Sequence, residues 1–175
     1  MGLLAGRYAR ALFDYAADLQ QTAVLKVEMG RIPEAFLLYP DLQTVLENPV
    51  VDPEEKCKLI LTAAQADKNS LLNQFLIFLT EKRRLTYINR IALQYLEIYN
   101  KEFNIHNMTI TTAYDADKET IGQLQNWIQK ELKGSVNVRH QKDVSIIGGF
   151  IADVDFNRWD ASVRTQLSEI KRKLS

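Results

Sequence analysis

Met108-Thr109-Ile110-Thr111-Thr112-Ala113 decides the fold, because the apolar repeat there shortens from ~3.6 residues to 2. Met108, Ile110 and Thr112 fall on one side of an extended chain, and Thr109, Thr111 and Ala113 on the other. Branching at Cβ stiffens this run and suits it to a strand. Everything upstream keeps helical spacing, and everything downstream alternates between the two periods. The chain therefore divides into a helical module, 1–105, and a smaller α/β module, 106–175.

Upstream, Leu4, Tyr8, Leu12, Tyr15 and Leu19 repeat at helical spacing among good helix formers, so 3–19 is predicted to be an amphipathic helix. Leu25, Met29, Ile32 and Phe36 mark a second helix, which Pro33 is expected to bend or interrupt. Pro40-Asp41 opens a short helix ending at Glu47, and Asn48-Pro49 forces a turn. Asp52 then caps a helix with Pro53 in its first position, Glu54 and Glu55 at the positive pole, and Cys57, Ile60, Leu61 and Ala64 on one face. From Ser70 to Glu81 the apolar residues exceed a single core-facing stripe, which leaves surface for a partner or for a central place in a bundle. A long helix follows from Thr86 to about Phe103, burying Ile88, Ile91, Ala92, Tyr95, Ile98 and Tyr99.

Downstream, Asp117 is placed to cap a helix carrying Ile121, Leu124, Ile128 and Leu132, with Gly134 closing it in the left-handed region. Val136, Val138 and His140 alternate as a strand. Ile146 to Val154 reads as another strand with Gly148-Gly149 inside it, and Asp160 begins a last helix with Val163, Leu167, Ile170 and Leu174 in register. The order after the period change is thus β, α, β, β, α.

Composition narrows the chemistry. The chain has 175 residues, 46% of them hydrophobic, with 22 basic and 22 acidic side chains. Up to Ile105 there are 12 basic and 13 acidic residues, and beyond it 10 and 9. No cationic stripe stands ready to displace counterions, so nucleic acid is not an expected partner. Lys82, Arg83 and Arg84 suit the negative pole of a helix end. No apolar run approaches the ~20 residues of a membrane span, so no bilayer insertion is expected. With no secretory signal at the start and a single cysteine, Cys57, the chain reads as cytosolic, with Cys57 as a core residue.

Catalytic constellations are sparse. Ser162, His140 and Asp160 are the nominal nucleophile, base and acid, but no GxSxG elbow surrounds Ser162. Only His106 and His140 could supply imidazole to a metal, and no HExxH or DxDxDG spacing gathers ligands, so no metal is expected. Gly148-Gly149 lacks the spacing of a phosphate loop, and no cofactor is expected.

Several segments, taken in order, resemble the delta subunit of F-type ATP synthase, the oligomycin-sensitivity-conferring protein family. They are Gly6-Arg7-Tyr8-Ala9-Arg10-Ala11-Leu12-Phe13, Leu46-Glu47-Asn48-Pro49-Val50-Val51 with Glu54-Glu55-Lys56, and Phe75, Leu76, Leu79, Glu81, Arg84 and Leu85. Thr111-Thr112-Ala113 belongs with them, and the most specific is Ile146-Ile147-Gly148-Gly149-Phe150 followed by Asp160, Ser162, Val163, Arg164 and Leu167. The resemblance implies a mainly α fold, an N-terminal six-helix bundle followed by a small C-terminal α/β module. It implies no enzyme but a stator connector, one copy in a hetero-oligomer at the cytoplasmic face of the cell membrane. Residues 1–105 would hold the catalytic head through the N-terminal helix of an alpha subunit, and 106–175 would hold stalk subunit b. Helix-in-groove docking between the first helix and the helix Ser70 to Glu81 would use Ala5, Ala9, Leu12 and Phe13 with Leu71, Gln74, Phe75 and Phe78. A small hydrolase or transferase built on His140, Asp160 and Ser162, or an unrelated helical adaptor, are the alternatives.

Overall fold

The computed structural model describes residues 2–113, 122, 134–143, 146, 148–154 and 157–174. Across them the protein is mainly helical with one small four-stranded sheet, and it divides into two compact units, Met1–Tyr99 and Asn100–Ser175. The division falls in the last turn of a helix, a few residues before the point where the spacing of apolar residues changes.

In the first unit the helices are α1 (Gly2–Asp18), α2 (Thr22–Leu38), α3 (Asp41–Glu47), α4 (Pro53–Ala64), α5 (Leu71–Glu81) and α6 (Ile88–Glu102), with a 3-10 turn at Leu85–Tyr87. Local chemistry sets several boundaries. Asp52 accepts a hydrogen bond from the Glu54 amide at 2.9 Å, and Pro53 occupies the first turn where no amide is needed. Ser70 caps α5 by accepting from the Asn73 amide at 3.2 Å. At the other end of α5, Arg83 turns left-handed at φ 55°, and the Arg84 amide donates to the Leu79 carbonyl at 2.7 Å.

Pro33 does not interrupt α2, which runs unbroken from Thr22 to Leu38. A proline there removes one amide donor, a cost of about 3 kcal/mol. The buried face of Leu25, Met29, Ile32 and Ala35 holds the helix together across that gap. The core of this unit gathers those residues with Ala9, Ala16, Ile60, Leu72, Leu76, Leu79, Ile88, Ile91 and Tyr95, all buried. The Tyr95 hydroxyl donates to the Thr22 carbonyl at 3.2 Å, so the phenol enters the core with its polar end satisfied.

In the second unit β1 (Ile105–Thr112) pairs in parallel with β2 (Ser135–Lys142) and antiparallel with β3 (Phe150–Val154), which pairs antiparallel with β4 (Asn157–Asp160); the order is β2-β1-β3-β4. Met108, Ile110, Val136, Ala152 and Val154 are buried together, with Val138, Phe150 and Trp159 against them. A last helix, α7, spans Val163–Leu174. The helix expected between Asp117 and Leu132 lies outside the described residues.

Three expectations for this unit change. Gly134 is not left-handed; it is required because a Cβ there would collide with the Asn104 carbonyl oxygen and press on the His106 ring. Gly148-Gly149 precedes β3 rather than lying inside it. Gly149 adopts φ 79°, and a Cβ on it would collide with the Ala161 carbonyl oxygen, while the Val163 amide reaches the Gly148 carbonyl at 3.0 Å. Asp160 ends β4 instead of starting the helix, a strand too short and polar for alternation to reveal.

Candidate partner-binding groove

The first helix has two apolar faces, and they do different work. Ala5, Ala9, Leu12, Phe13 and Ala16 turn inward and are buried. Among them the Phe13 ring lies 5.9 Å from that of Tyr95 and 6.4 Å from that of Tyr99. Leu4, Tyr8, Ala11 and Tyr15, repeating at i, i+4, i+7 and i+11, face a groove whose other wall is α5.

That groove has a volume of about 530 Å³ and is lined by Leu4, Arg7, Tyr8, Ala11, Leu12 and Tyr15 on one side and Leu71, Gln74, Phe75 and Phe78 on the other. The Tyr8 and Phe78 rings meet edge to face at 6.2 Å, joining the two walls. Phe75 stacks against Phe78 at 6.5 Å. Tyr15 is 51% exposed and Phe78 41%, large side chains that the core does not take up. A wall of this kind, apolar and open along one side, can accept the apolar face of a helix.

Of the eight residues expected to dock a partner, Leu12, Leu71, Gln74, Phe75 and Phe78 line the groove. Ala5, Ala9 and Phe13 do not: they are 2%, 0% and 6% exposed and pack in the core of the first unit. The expectation took small residues as the docking face, whereas here they serve the helix's own packing. The groove residues on α1 outside that expectation are Leu4, Arg7, Tyr8, Ala11 and Tyr15. Their signal was the same four-residue repeat of Leu4, Tyr8, Leu12 and Tyr15 that marks the helix.

The nominal hydrolase residues do not converge. His140 lies on edge strand β2, its Nε2 2.7 Å from the Thr112 hydroxyl, and Asp160 ends β4 at the opposite edge. Asp160 accepts from the Ser162 amide and the Thr165 hydroxyl, both at 2.9 Å, and hydrogen bonds from Ser162, then Thr165, hold its carboxyl below the usual range. Ser162 accepts from the Thr165 amide at 3.3 Å, so these side chains cap α7. Cys57 is buried with its Sγ 3.1 Å from the Thr80 hydroxyl, and His106 belongs to β1.

Residues 4–174 match the family described as ATP synthase delta (OSCP) subunit. The chain belongs to that family. The delta subunit of Bacteroides thetaiotaomicron ATP synthase is 35% identical, over 99% of this chain and 94% of its own length, and that of Phocaeicola vulgatus 31% over the same shares. A chain of the Toxoplasma gondii mitochondrial ATP synthase hexamer superposes with a TM-score of 0.73 over 98% of this chain and 97% of its own; at 21% identity that likeness is one of fold. As an ATP synthase delta (OSCP) subunit the protein is a component of the peripheral stalk, and its role is structural rather than catalytic.

Proposed function

We propose that the six helices of residues 1–105 form the bundle that grips the catalytic head, taking the N-terminal helix of one alpha subunit into the groove between α1 and α5, while residues 106–175 hold stalk subunit b. One copy, at the cytoplasmic face of the cell membrane, would then keep the head from turning with the central shaft. The observation that carries this reading is the groove itself: Tyr8, Tyr15, Phe75 and Phe78 present aromatic surface beyond what the core needs. Aromatic anchors of this size dominate interfaces of the helix-in-groove kind. On the second unit, Val163 at 37% and Leu167 at 58% exposure put an apolar pair one turn apart on α7, a starting point for the stalk contact.

The test titrates a synthetic peptide of the alpha subunit's N-terminal helix into the full chain. Phe78→Asp and Ala11→Glu, both at exposed positions in the groove, should each weaken binding at least tenfold, as loss of an interface anchor does. Unchanged affinity for both removes the groove as the head contact. Leu167→Asp should leave the peptide's affinity intact while lowering capture of subunit b.

A further inference from the structure

The groove has an electrical direction as well as an apolar floor. Arg7 is the one charged residue lining it, and no carboxylate among the described residues faces Arg7 closely enough to pair with it. It stands on the outer lip of α1 beside Tyr8, and the Tyr8–Phe78 contact puts this end of the groove against the last turn of α5. There Lys82 lies with its Nζ 5.7 Å over the Phe78 ring, followed by Arg83 and Arg84. With Glu81 before them, residues 81–84 carry a net positive charge.

Along the same lip of α1, roughly three turns on, stands Asp18, since residues i and i+11 return to one face. Between them Arg10 and Asp14 neutralise each other in an exposed ion pair at 3.1 Å. The lip thus runs from an open cation at Arg7 to an open carboxylate at Asp18, about 16 Å away. A free helix is itself polarised in a matching sense: acidic residues favour its first turn and basic ones its last.

We infer that the groove selects the direction of the helix it takes: the occupant runs parallel to α1, with a carboxylate in its first turn at Arg7 and a cation in its last turn at Asp18. This rests on the proposal that an amphipathic helix of the head docks here, and it adds the polarity of that helix. Charge complementarity between exposed groups sets orientation and discrimination more than affinity. The apolar anchors supply binding in either direction, and the two charged ends decide which direction is kept.

The experiment uses the full chain and two synthetic amphipathic peptides of identical composition and apolar face. One carries two Glu in the first turn and two Lys in the last; the other carries them reversed. The first should bind about tenfold more tightly at low salt, the effect of two exposed charge pairs exchanged for two repulsive ones. The preference should shrink at 0.5 M NaCl and invert for the double variant Arg7→Glu, Asp18→Lys, whose two positions lie outside the core. A spin label on the N-terminus of the first peptide should broaden the Arg7 and Phe78 amide signals, and one on its C-terminus those of Tyr15 and Leu71. Equal affinities, no inversion, or the opposite broadening overturns the inference while leaving groove docking intact. If neither peptide nor the alpha segment binds, the docking proposal itself falls.

Discussion

Glu28 is a carboxylate that α2 carries into the edge of the core, where it is 8% exposed. Burial raises its pKa above the ordinary 4.5, Asp67 nearby raises it further, and Arg31 offsets part of the rise. Arg31 is itself engaged, donating from Nη1 to the Ala64 carbonyl at 3.1 Å at the end of α4. Because the folded-state pKa lies above that of the unfolded chain, folding favours the protonated form. The stabilisation is complete below the unfolded value and is lost as pH rises through the folded one. Glu28→Gln should therefore raise the urea midpoint at pH 7 and leave it close to wild type at pH 4, a difference profile that urea titrations across that range would reveal. Gly149 tests a different residue-scale constraint. With φ at 79° and the Ala161 carbonyl oxygen where a Cβ would sit, Gly149→Ala should cost about 2 kcal/mol or more. Both tryptophans, Trp127 and Trp159, lie beyond residue 100, so fluorescence follows this unit's unfolding without signal from the helices before it.

At the scale of elements, α2 holds two residues that a helix does not favour, Gly30 and Pro33. A Cβ on Gly30 would meet nothing within 4 Å, so Gly30→Ala should stabilise by about 0.5 to 1 kcal/mol. Pro33→Ala restores one amide donor and should add about 2 kcal/mol. Helical circular dichroism followed through denaturation measures both. The same helix shows where reading from sequence stops. Asp52-Pro53-Glu54-Glu55 announced its helix start, because a cap is a local hydrogen bond made by residues adjacent in the chain. Pro33 pointed to a break that the packing of Leu25, Met29 and Ile32 overrides, and packing is set by residues distant in the chain. Gly148-Gly149 sat in an apolar run that read as strand, yet its conformation depends on the approach of residues 161–163. The groove was legible as a pair of elements, α1 and α5. Apart from Leu12, its lining on α1 was not, because two neighbouring apolar faces look alike until the rest of the unit claims one. Ala5, Ala9 and Phe13 went to the core, Phe13 against the Tyr95 and Tyr99 rings of α6, and Tyr8 and Tyr15 were left to line the groove.

For the whole molecule, the requirement is mechanical. A peripheral-stalk component does no chemistry, so damage to it appears in coupling rather than in catalysis. If the groove between α1 and α5 is the grip on the head, Phe78→Asp weakens that grip without replacing a core residue, since Phe78 is 41% exposed. Loss of one aromatic anchor costs about 2 kcal/mol or more of binding, enough to raise the detached fraction of heads more than tenfold under load. Membranes and the soluble fraction counted together should keep their total ATP hydrolysis, because the head's own sites are intact. ATP-driven proton pumping and ATP synthesis should fall together, because a head free to turn with its shaft transmits no torque. Assays of hydrolysis, of pumping by a pH-sensitive dye, and of head recovered in the soluble fraction separate the outcomes. Pumping and hydrolysis that fall in equal proportion would place the defect in catalysis or folding, and unchanged pumping would show that the head is held by a surface other than this groove.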